Sequence, residues 1–155
     1  MSAATEALCN HPVFRFFRVI SDIPRPSKHE EQISQFLFRW ARERGLEAEQ
    51  DEKLNILIRK PATPGYEGAP GIMLQAHMDM VCEKAPEAEH DFMKDPIHWE
   101  LDGDILSTGR RTTLGADDGI GVAMAMAVLD DDTLSHPALE VLFTTAEEED
   151  FSGAE

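Results

Sequence analysis

Three short clusters of histidine and carboxylate residues carry the chemistry that this sequence could perform. The first is His77-Met78-Asp79, which follows the apolar run Ile72-Met73-Leu74. A neutral imidazole can bind a metal ion through one ring nitrogen, and an aspartate two residues later can hold the other ring N–H. The pattern H-x-D is weak evidence by itself, because a histidine beside an aspartate in a surface loop is the commoner situation.

The second cluster surrounds two adjacent aspartates, Asp117 and Asp118, at the start of an apolar segment. An aspartate at this position can cap a helix by accepting from its free backbone amides, which explains one carboxylate. Capping does not explain the three glycines around the pair, Gly115, Gly119 and Gly121. Glycine permits close backbone approach and unusual dihedral angles, and loops that hold metal ions often need both.

The third cluster is the acidic run Glu147-Glu148-Glu149-Asp150, directly after the apolar segment Leu139 to Thr144. Runs of like charge are usually solvated. A position at the end of a buried strand favours a site role for one or two of these carboxylates, one binding metal and one moving protons. Together the clusters offer one imidazole and several carboxylates, a ligand set that suits zinc, manganese or cobalt.

The elements that must position these clusters alternate between helices and short strands. Pro12 stands near the start of one helix, and Ser27-Lys28-His29-Glu30 has the pattern of a capping box before another helix, which stops at Gly45. Asp102-Gly103 is a strong hairpin signal. The predicted strands are 46–50, 55–59, 72–74, 98–101, 105–107 and 139–144, and a buried helix is predicted over 119–129. This order predicts an α/β fold, a three-layer sandwich with helices on a mostly parallel mixed central sheet. In such sheets, ligands bind beyond the carboxyl ends of the strands.

Composition narrows the classes of partner. The chain has 155 residues, 42% of them hydrophobic, and a formal net charge of −16. Such a surface repels nucleic acid and anionic membranes, so we expect neither as a partner. Cys9 and Cys82 are too few for a disulfide framework, and the first residues lack the pattern of a signal peptide. We therefore expect a cytoplasmic protein.

Six segments in combination resemble the aminoacyl-histidine dipeptidases, also called Xaa-His or β-alanyl-histidine dipeptidases. These bacterial enzymes belong to the co-catalytic zinc exopeptidases, and the similarity runs across nearly the whole chain. The combination is far more specific than H-x-D alone. The segments that carry it are 29–32, 55–63, 75–81, 90–97, 112–121 and 145–148.

The resemblance implies a role for each candidate site residue. His77 would bind one metal ion, and Asp79 would orient His77. Asp117 would bridge both ions, and the peptide bond that follows it would be cis. Glu148 would bind the second ion, and Glu147 would be the general base.

The same resemblance implies the activity and its setting. The expected reaction is hydrolysis of dipeptides of the Xaa-His type, with two Zn²⁺ ions (Co²⁺ or Mn²⁺ being alternatives) in a homodimeric enzyme. Residues 1–155 would be the N-terminal part of the catalytic domain, without its remainder or an inserted lid and dimerisation domain. We therefore expect this chain alone to be inactive. Asp118, where these enzymes usually have asparagine, and the acidic pair Glu149-Asp150 are departures.

Two other functions are compatible with the residues. One is a truncated, non-catalytic remnant that binds metal, although four intact site residues argue against long decay. The other is a different hydrolase of the same group, an aminopeptidase or a deacetylase. The segments His90-Asp91-Phe92 and Asp95-Pro96-Ile97 favour the dipeptidase.

Overall fold

The computed structural model describes residues 3–154. Helices in this part of the chain are α1 (Ala3–Leu8), α2 (Pro12–Ser21), α3 (Glu31–Glu43) and α4 (Ala116–Asp130). Its strands are β1 (Glu47–Gln50), β2 (Ile56–Lys60), β3 (Ile72–His77), β4 (Glu100–Asp102), β5 (Ile105–Ser107) and β6 (Leu139–Thr144). No helix among these residues is both long and apolar enough to cross a membrane.

The main sheet has the strand order β1-β2-β6-β3. Residues 51–55 form a connection between β1 and β2 that is too short for a crossover, so these strands pair antiparallel. β2 and β6 are also antiparallel, whereas β3 and β6 are parallel, with α4 between them in the chain. Their register runs from Ile72 opposite Leu139 to His77 opposite Thr144. Both strands therefore end at the same edge of the sheet.

An α/β fold with helices on a mixed sheet is confirmed, but the strand directions differ from the prediction. Two of the three strand pairs in the described sheet are antiparallel, so this part of the sheet is not mostly parallel. In the described sheet, the only connection between strands that contains an α-helix is the one from β3 to β6. The described helices α2, α3 and α4 share one core cluster with the inward residues of the strands, so this part of the chain contains two layers of the predicted sandwich.

Alternation along β2 and β6 explains which face is buried. Ile56, Ile58, Val141 and Phe143 are fully buried against the helices. The residues between them point to the other face, where Arg59 pairs with carboxylates of β1 and β6. Burial of each large apolar side chain contributes roughly 1.5–3 kcal/mol, so the helix-facing side of the sheet holds the core.

Local signals place two features as predicted. Pro12 is the first residue of α2, and His11 Nδ1 accepts from the Val13 amide (3.3 Å). β4 and β5 form an antiparallel hairpin, and Gly103 in its turn has φ +57°. In both places the residues that decide the structure are neighbours in the chain.

The predicted capping box is wrong. α3 begins at Glu31, and the side chain of Glu30 makes no capping hydrogen bond to it. Ser27 Oγ instead donates to Asp79 Oδ2 (2.7 Å), and Glu30 Oε1 accepts from the Lys28 amide (3.0 Å). Both polar groups are engaged in holding loops together, so neither is free to cap the helix.

Arg25 is the largest fully buried side chain in the described core, with 2% of its surface exposed. Its Nη1 donates to the carbonyl oxygens of Met78 and Asp79 (3.2 Å each), and Nη2 donates to Gly115 (2.6 Å). Burial lowers the pKa of Arg25 to about 10, which leaves it charged near neutral pH. One guanidinium thus joins the segment after β3 to the segment before α4.

Replacing Arg25 with alanine should therefore destabilise the fold. Three carbonyl groups would lose their donor and the buried Asp79 would lose a neighbouring cation, a change that typically costs about 3–5 kcal/mol. Urea unfolding gives the free energy directly. Arg42→Ala, at an exposed position of α3, is the matched control and should shift stability by less than about 0.5 kcal/mol. A loss below about 1 kcal/mol for Arg25→Ala would contradict the joining role.

Candidate metal centre

Three segments meet beyond the carboxyl ends of β3 and β6. His77 is the last residue of β3, and residues 145–148, called here the acidic loop, follow β6 directly. The start of α4 brings Asp117 to the same edge. This is the edge of an open α/β sheet where ligands bind.

The imidazole of His77 lies at the centre of the cluster. Its Nε2 is 3.1 Å from Asp117 Oδ1 and 3.7 Å from Glu147 Oε2. Potential ligand atoms of His77, Glu147 and Glu148 all lie within 4.8 Å of one another. Asp117 and Glu148 line one shallow cleft of about 210 Å³. The structure therefore brings together His77, Asp117, Glu147 and Glu148 from three segments that are far apart in the sequence.

Asp79 lies behind this cluster and is completely buried. Its Oδ1 accepts from the Glu147 amide (3.1 Å), and its Oδ2 accepts from the Glu148 amide (3.2 Å). Asp79 Oδ1 is also 3.3 Å from His77 Nδ1. That separation is short enough for a hydrogen bond, but the atoms are not aligned for one, and Nδ1 has no hydrogen-bond partner among residues 3–154.

Electrostatics in the cluster follow from one imidazole among several carboxylates. Burial opposes protonation of His77, but the neighbouring Asp79 and Asp117 outweigh it and raise the pKa of His77 to about 9. For Asp79, burial is outweighed by its contacts with His77, Ser27 and two backbone amides, so its pKa falls to about 2. Burial and the nearby Asp117 raise the pKa of Glu148. The cleft is strongly negative and favours a cation.

The two adjacent aspartates have different surroundings. Asp117 is exposed and faces His77, whereas Asp118 Oδ1 accepts from the Gly121 amide (3.2 Å) and caps the regular part of α4. Both have non-helical dihedral angles, and the peptide bond between them is cis, as the resemblance implied. Helix capping therefore explains Asp118, whereas the carboxylate of Asp117 lies in the cleft beside His77.

The glycines around this pair permit close packing against Arg25. Gly115 has φ +67°, a left-handed conformation that favours glycine. A Cβ at Gly119 would lie 2.6 Å from the Arg25 guanidinium and 2.8 Å from the Phe17 ring. At Gly121 a Cβ would overlap the Asp118 carboxylate. The glycines are thus explained by backbone conformation and by space.

The acidic run divides into two halves. Glu147 and Glu148 are half-buried in the cluster, whereas Glu149 and Asp150 are exposed. Asp150 pairs with Lys28, whose Nζ is 2.6 Å from Asp150 Oδ2. The second half of the run is therefore solvated, as runs of like charge usually are, whereas the first half belongs to the cluster.

Sequence reasoning missed two residues whose side chains bind the backbone of the acidic loop. Glu30 Oε1 accepts from the Ala146 amide (2.9 Å), and Asn55 Oδ1 accepts from the Thr145 amide (3.0 Å). Both side chains are buried. Glu30 and Asn55 fall in segments that carry the resemblance, which was the available signal for them. Arg25, between two prolines, has no such signal.

The donor set at this cleft fits a divalent transition metal. An imidazole nitrogen faces carboxylate oxygens, and the cluster has an excess of negative charge that a bound cation would compensate. A second cavity, of about 600 Å³, lies at the opposite end of the sheet. Its lining contains no histidine, and it is far from the chemistry of the cluster.

The sequence and the fold are similar to those of known dipeptidases. No family model matches the chain. It is 49% identical over 147 residues to the cytosol non-specific dipeptidase of Escherichia coli (strain K12), a match that covers 95% of this chain and 30% of the relative. The crystal structure of aminoacylhistidine dipeptidase from Vibrio alginolyticus is 46% identical, with a TM-score of 0.89, and the match covers 92% of this chain and 29% of that one.

These two relatives confirm the resemblance to aminoacyl-histidine dipeptidases. The chain spans about 30% of their length. A Bacillus subtilis protein described as a dinuclear metal binding peptidase of the M20 family superposes with a TM-score of 0.55 at 18% identity, covering 95% of this chain and 37% of that one. At that identity the likeness shows the fold alone.

Gly119→Ala should destabilise the protein although alanine is the better helix former. The added methyl group would collide with the Arg25 guanidinium and the Phe17 ring, and such overpacking costs about 1–3 kcal/mol. Gly68→Ala is the matched control, because a Cβ there meets nothing within 4 Å. Thermal and urea unfolding measure both variants. Equal or higher stability of Gly119→Ala would show that the close approach is unimportant.

Proposed function

We propose that this chain is part of a metal-dependent dipeptidase and contains most of its catalytic cluster. The observation that carries the proposal is the convergence of His77, Asp117, Glu147 and Glu148 at the carboxyl edge of the sheet. It is supported by the two relatives, both named as dipeptidases. This geometry favours an enzyme over a purely structural remnant.

His77 Nε2 and the carboxylates of Asp117 and Glu148 would hold the metal. The proposed ions are two Zn²⁺, with Co²⁺ or Mn²⁺ as alternatives, and Asp117 would be a ligand that both ions share. Bound ions of this kind polarise a peptide carbonyl and lower the pKa of a bound water. Asp79 would keep the ring of His77 in position from behind, since its Oδ1 lies 3.3 Å from Nδ1.

Glu147 is proposed as the general base. Its carboxylate is partly open to solvent and lies 3.7 Å from His77 Nε2. From this position Glu147 can take a proton from a water molecule in the cleft and later give that proton to the leaving amine. Because Asp79 binds the Glu147 amide, the backbone that carries this carboxylate is fixed.

The proposed substrates are dipeptides, with Xaa-His dipeptides as the preferred class. The names of the relatives point to both a narrow and a broad specificity, since one is an aminoacylhistidine dipeptidase and the other is called non-specific. We further propose that the complete enzyme is a homodimer and that it is cytoplasmic. The word cytosol in the name of the Escherichia coli relative supports the location.

We also propose that residues 1–155 form the N-terminal part of a larger catalytic domain that has a further lid and dimerisation domain. β3 is paired on one side only within the described sheet. Met73 on that strand is 56% exposed, on the face without helices. More strands beside β3 and a further layer over this face would complete a sandwich.

The role of Glu147 can be tested in a chimera in which this chain replaces the aligned segment of the Escherichia coli relative. Glu147→Gln should lower kcat by about 10²–10⁴-fold, because the amide cannot accept the proton of water. Metal content, measured by mass spectrometry, should stay the same. Glu149→Gln, at the exposed end of the acidic run, is the control and should keep its turnover. Full activity of Glu147→Gln would remove the general-base assignment.

The 155-residue chain alone should hydrolyse dipeptides much more slowly than the chimera. A catalytic zinc normally has three protein ligands, and with Asp117 shared this chain offers two to each ion. The assay compares both proteins on β-alanyl-histidine, other Xaa-His dipeptides and dipeptides without histidine, with Zn²⁺ or Co²⁺ added. Turnover within about tenfold, roughly 1.4 kcal/mol in barrier, would contradict the ligand count. A chimera without dipeptidase activity would contradict the proposed function itself.

A further inference from the structure

We infer that Glu30 and Asn55 are positioning residues that, together with Asp79, hold the acidic loop so that Glu147 and Glu148 face His77. Neither residue touches the cleft. The inference rests on the proposed function for its catalytic meaning, but the geometry that carries it is independent of any metal.

The backbone of the acidic loop is held at every residue by a buried side chain. Four consecutive amides, those of residues 145–148, donate in turn to Asn55 Oδ1 (3.0 Å), Glu30 Oε1 (2.9 Å), Asp79 Oδ1 (3.1 Å) and Asp79 Oδ2 (3.2 Å). In a regular strand or helix, backbone acceptors would take these protons. Here three side chains from three different segments of the chain replace them.

The loop has a conformation that needs such support. Ala146 has φ +54°, a left-handed conformation that is unfavourable for a residue with a Cβ. The next two side chains are the carboxylates of Glu147 and Glu148, which repel each other, and Asp117 adds a further negative charge near Glu148. Without fixed acceptors for its amides, the loop would relax toward solvent. Hydrogen bonds from neutral amides to buried carboxylates are among the stronger ones in proteins.

Asn55 is fixed on both sides of its amide group. Its Nδ2 donates to Asp51 Oδ2 (2.8 Å) and to the carbonyl oxygen of Gly153 (2.7 Å), so its Oδ1 must face Thr145. Asn55 therefore binds the backbone at Thr145 and at Gly153, the two ends of the segment that contains the acidic loop. An aspartate in its place would lose both donated bonds.

Glu30 is the more informative residue to change. Its Oε1 accepts from the amides of Lys28 and Ala146, and its side chain donates nothing. Glu30→Gln keeps a carbonyl oxygen for both amides, whereas Glu30→Ala removes the acceptor. The neighbouring Glu31, exposed in the first turn of α3, provides the control Glu31→Gln.

The experiment measures amide hydrogen exchange by NMR on the 155-residue chain, free of metal. Glu30→Ala should speed exchange of the Ala146 and Glu147 amides by about tenfold or more, while β2 and β6 stay protected. Glu30→Gln and Glu31→Gln should exchange like the parent. Co²⁺ binding, followed by its visible absorption, should weaken by about tenfold or more in Glu30→Ala alone, the scale of a lost supporting contact.

Three results would overturn the inference. Unchanged exchange in the acidic loop of Glu30→Ala would overturn the inference, and so would exchange that rises equally across β2 and β6. An acidic loop that is unprotected in the parent chain would overturn it as well. Parent protein that binds no Co²⁺ but keeps the local exchange pattern would count against the proposed metal site and leave the positioning role supported.

Discussion

The rest of this site depends on the contacts made by the carboxylate of Asp79. It is completely buried, and it joins the ends of two parallel strands by accepting from the Glu147 and Glu148 amides while lying beside His77. If this carboxylate were lost, two partly buried amides would lose their acceptor, at a cost of up to about 1–3 kcal/mol each. The position of the imidazole and the position of the acidic loop are therefore set by one side chain.

The site also brings several carboxylates close together around His77. The buried carboxylates of Glu30 and Asp79 are compensated by backbone amides, and Asp79 also by the nearby Arg25 guanidinium. Among residues 3–154, the cationic neighbour of Asp117 and Glu148 is His77 alone. Uncompensated like charge in a cleft is a common property of cation sites, where the bound ion supplies the missing positive charge. The charge pattern thus agrees with the proposed chemistry.

Local sequence rules predicted the features that depend on neighbouring residues. They missed the features that depend on residues far apart in the chain. Pro12 and the Asp102-Gly103 turn act through adjacent backbone, so their structures were predictable. Ser27 and Glu30 have the pattern of a capping box but bind groups in the site loops. Arg25 binds carbonyl groups 53, 54 and 90 residues further along the chain, so no local pattern could reveal it. The clusters around His77, Asp117 and Glu147 were found because strand ends converge in α/β sheets, but the backbone contacts that hold them require the fold.

Anomalous X-ray diffraction from crystals of this chain grown with Zn²⁺ tests the central claim most directly. A peak about 2.0–2.1 Å from His77 Nε2, with an oxygen of Asp117 or Glu148 at similar distance, is the predicted result. The exposed pair Glu149-Asp150 provides an internal comparison, because it is equally acidic but lacks an imidazole. Zinc bound only at such surface carboxylates, with none at His77, would contradict the assignment of this cluster as a metal centre.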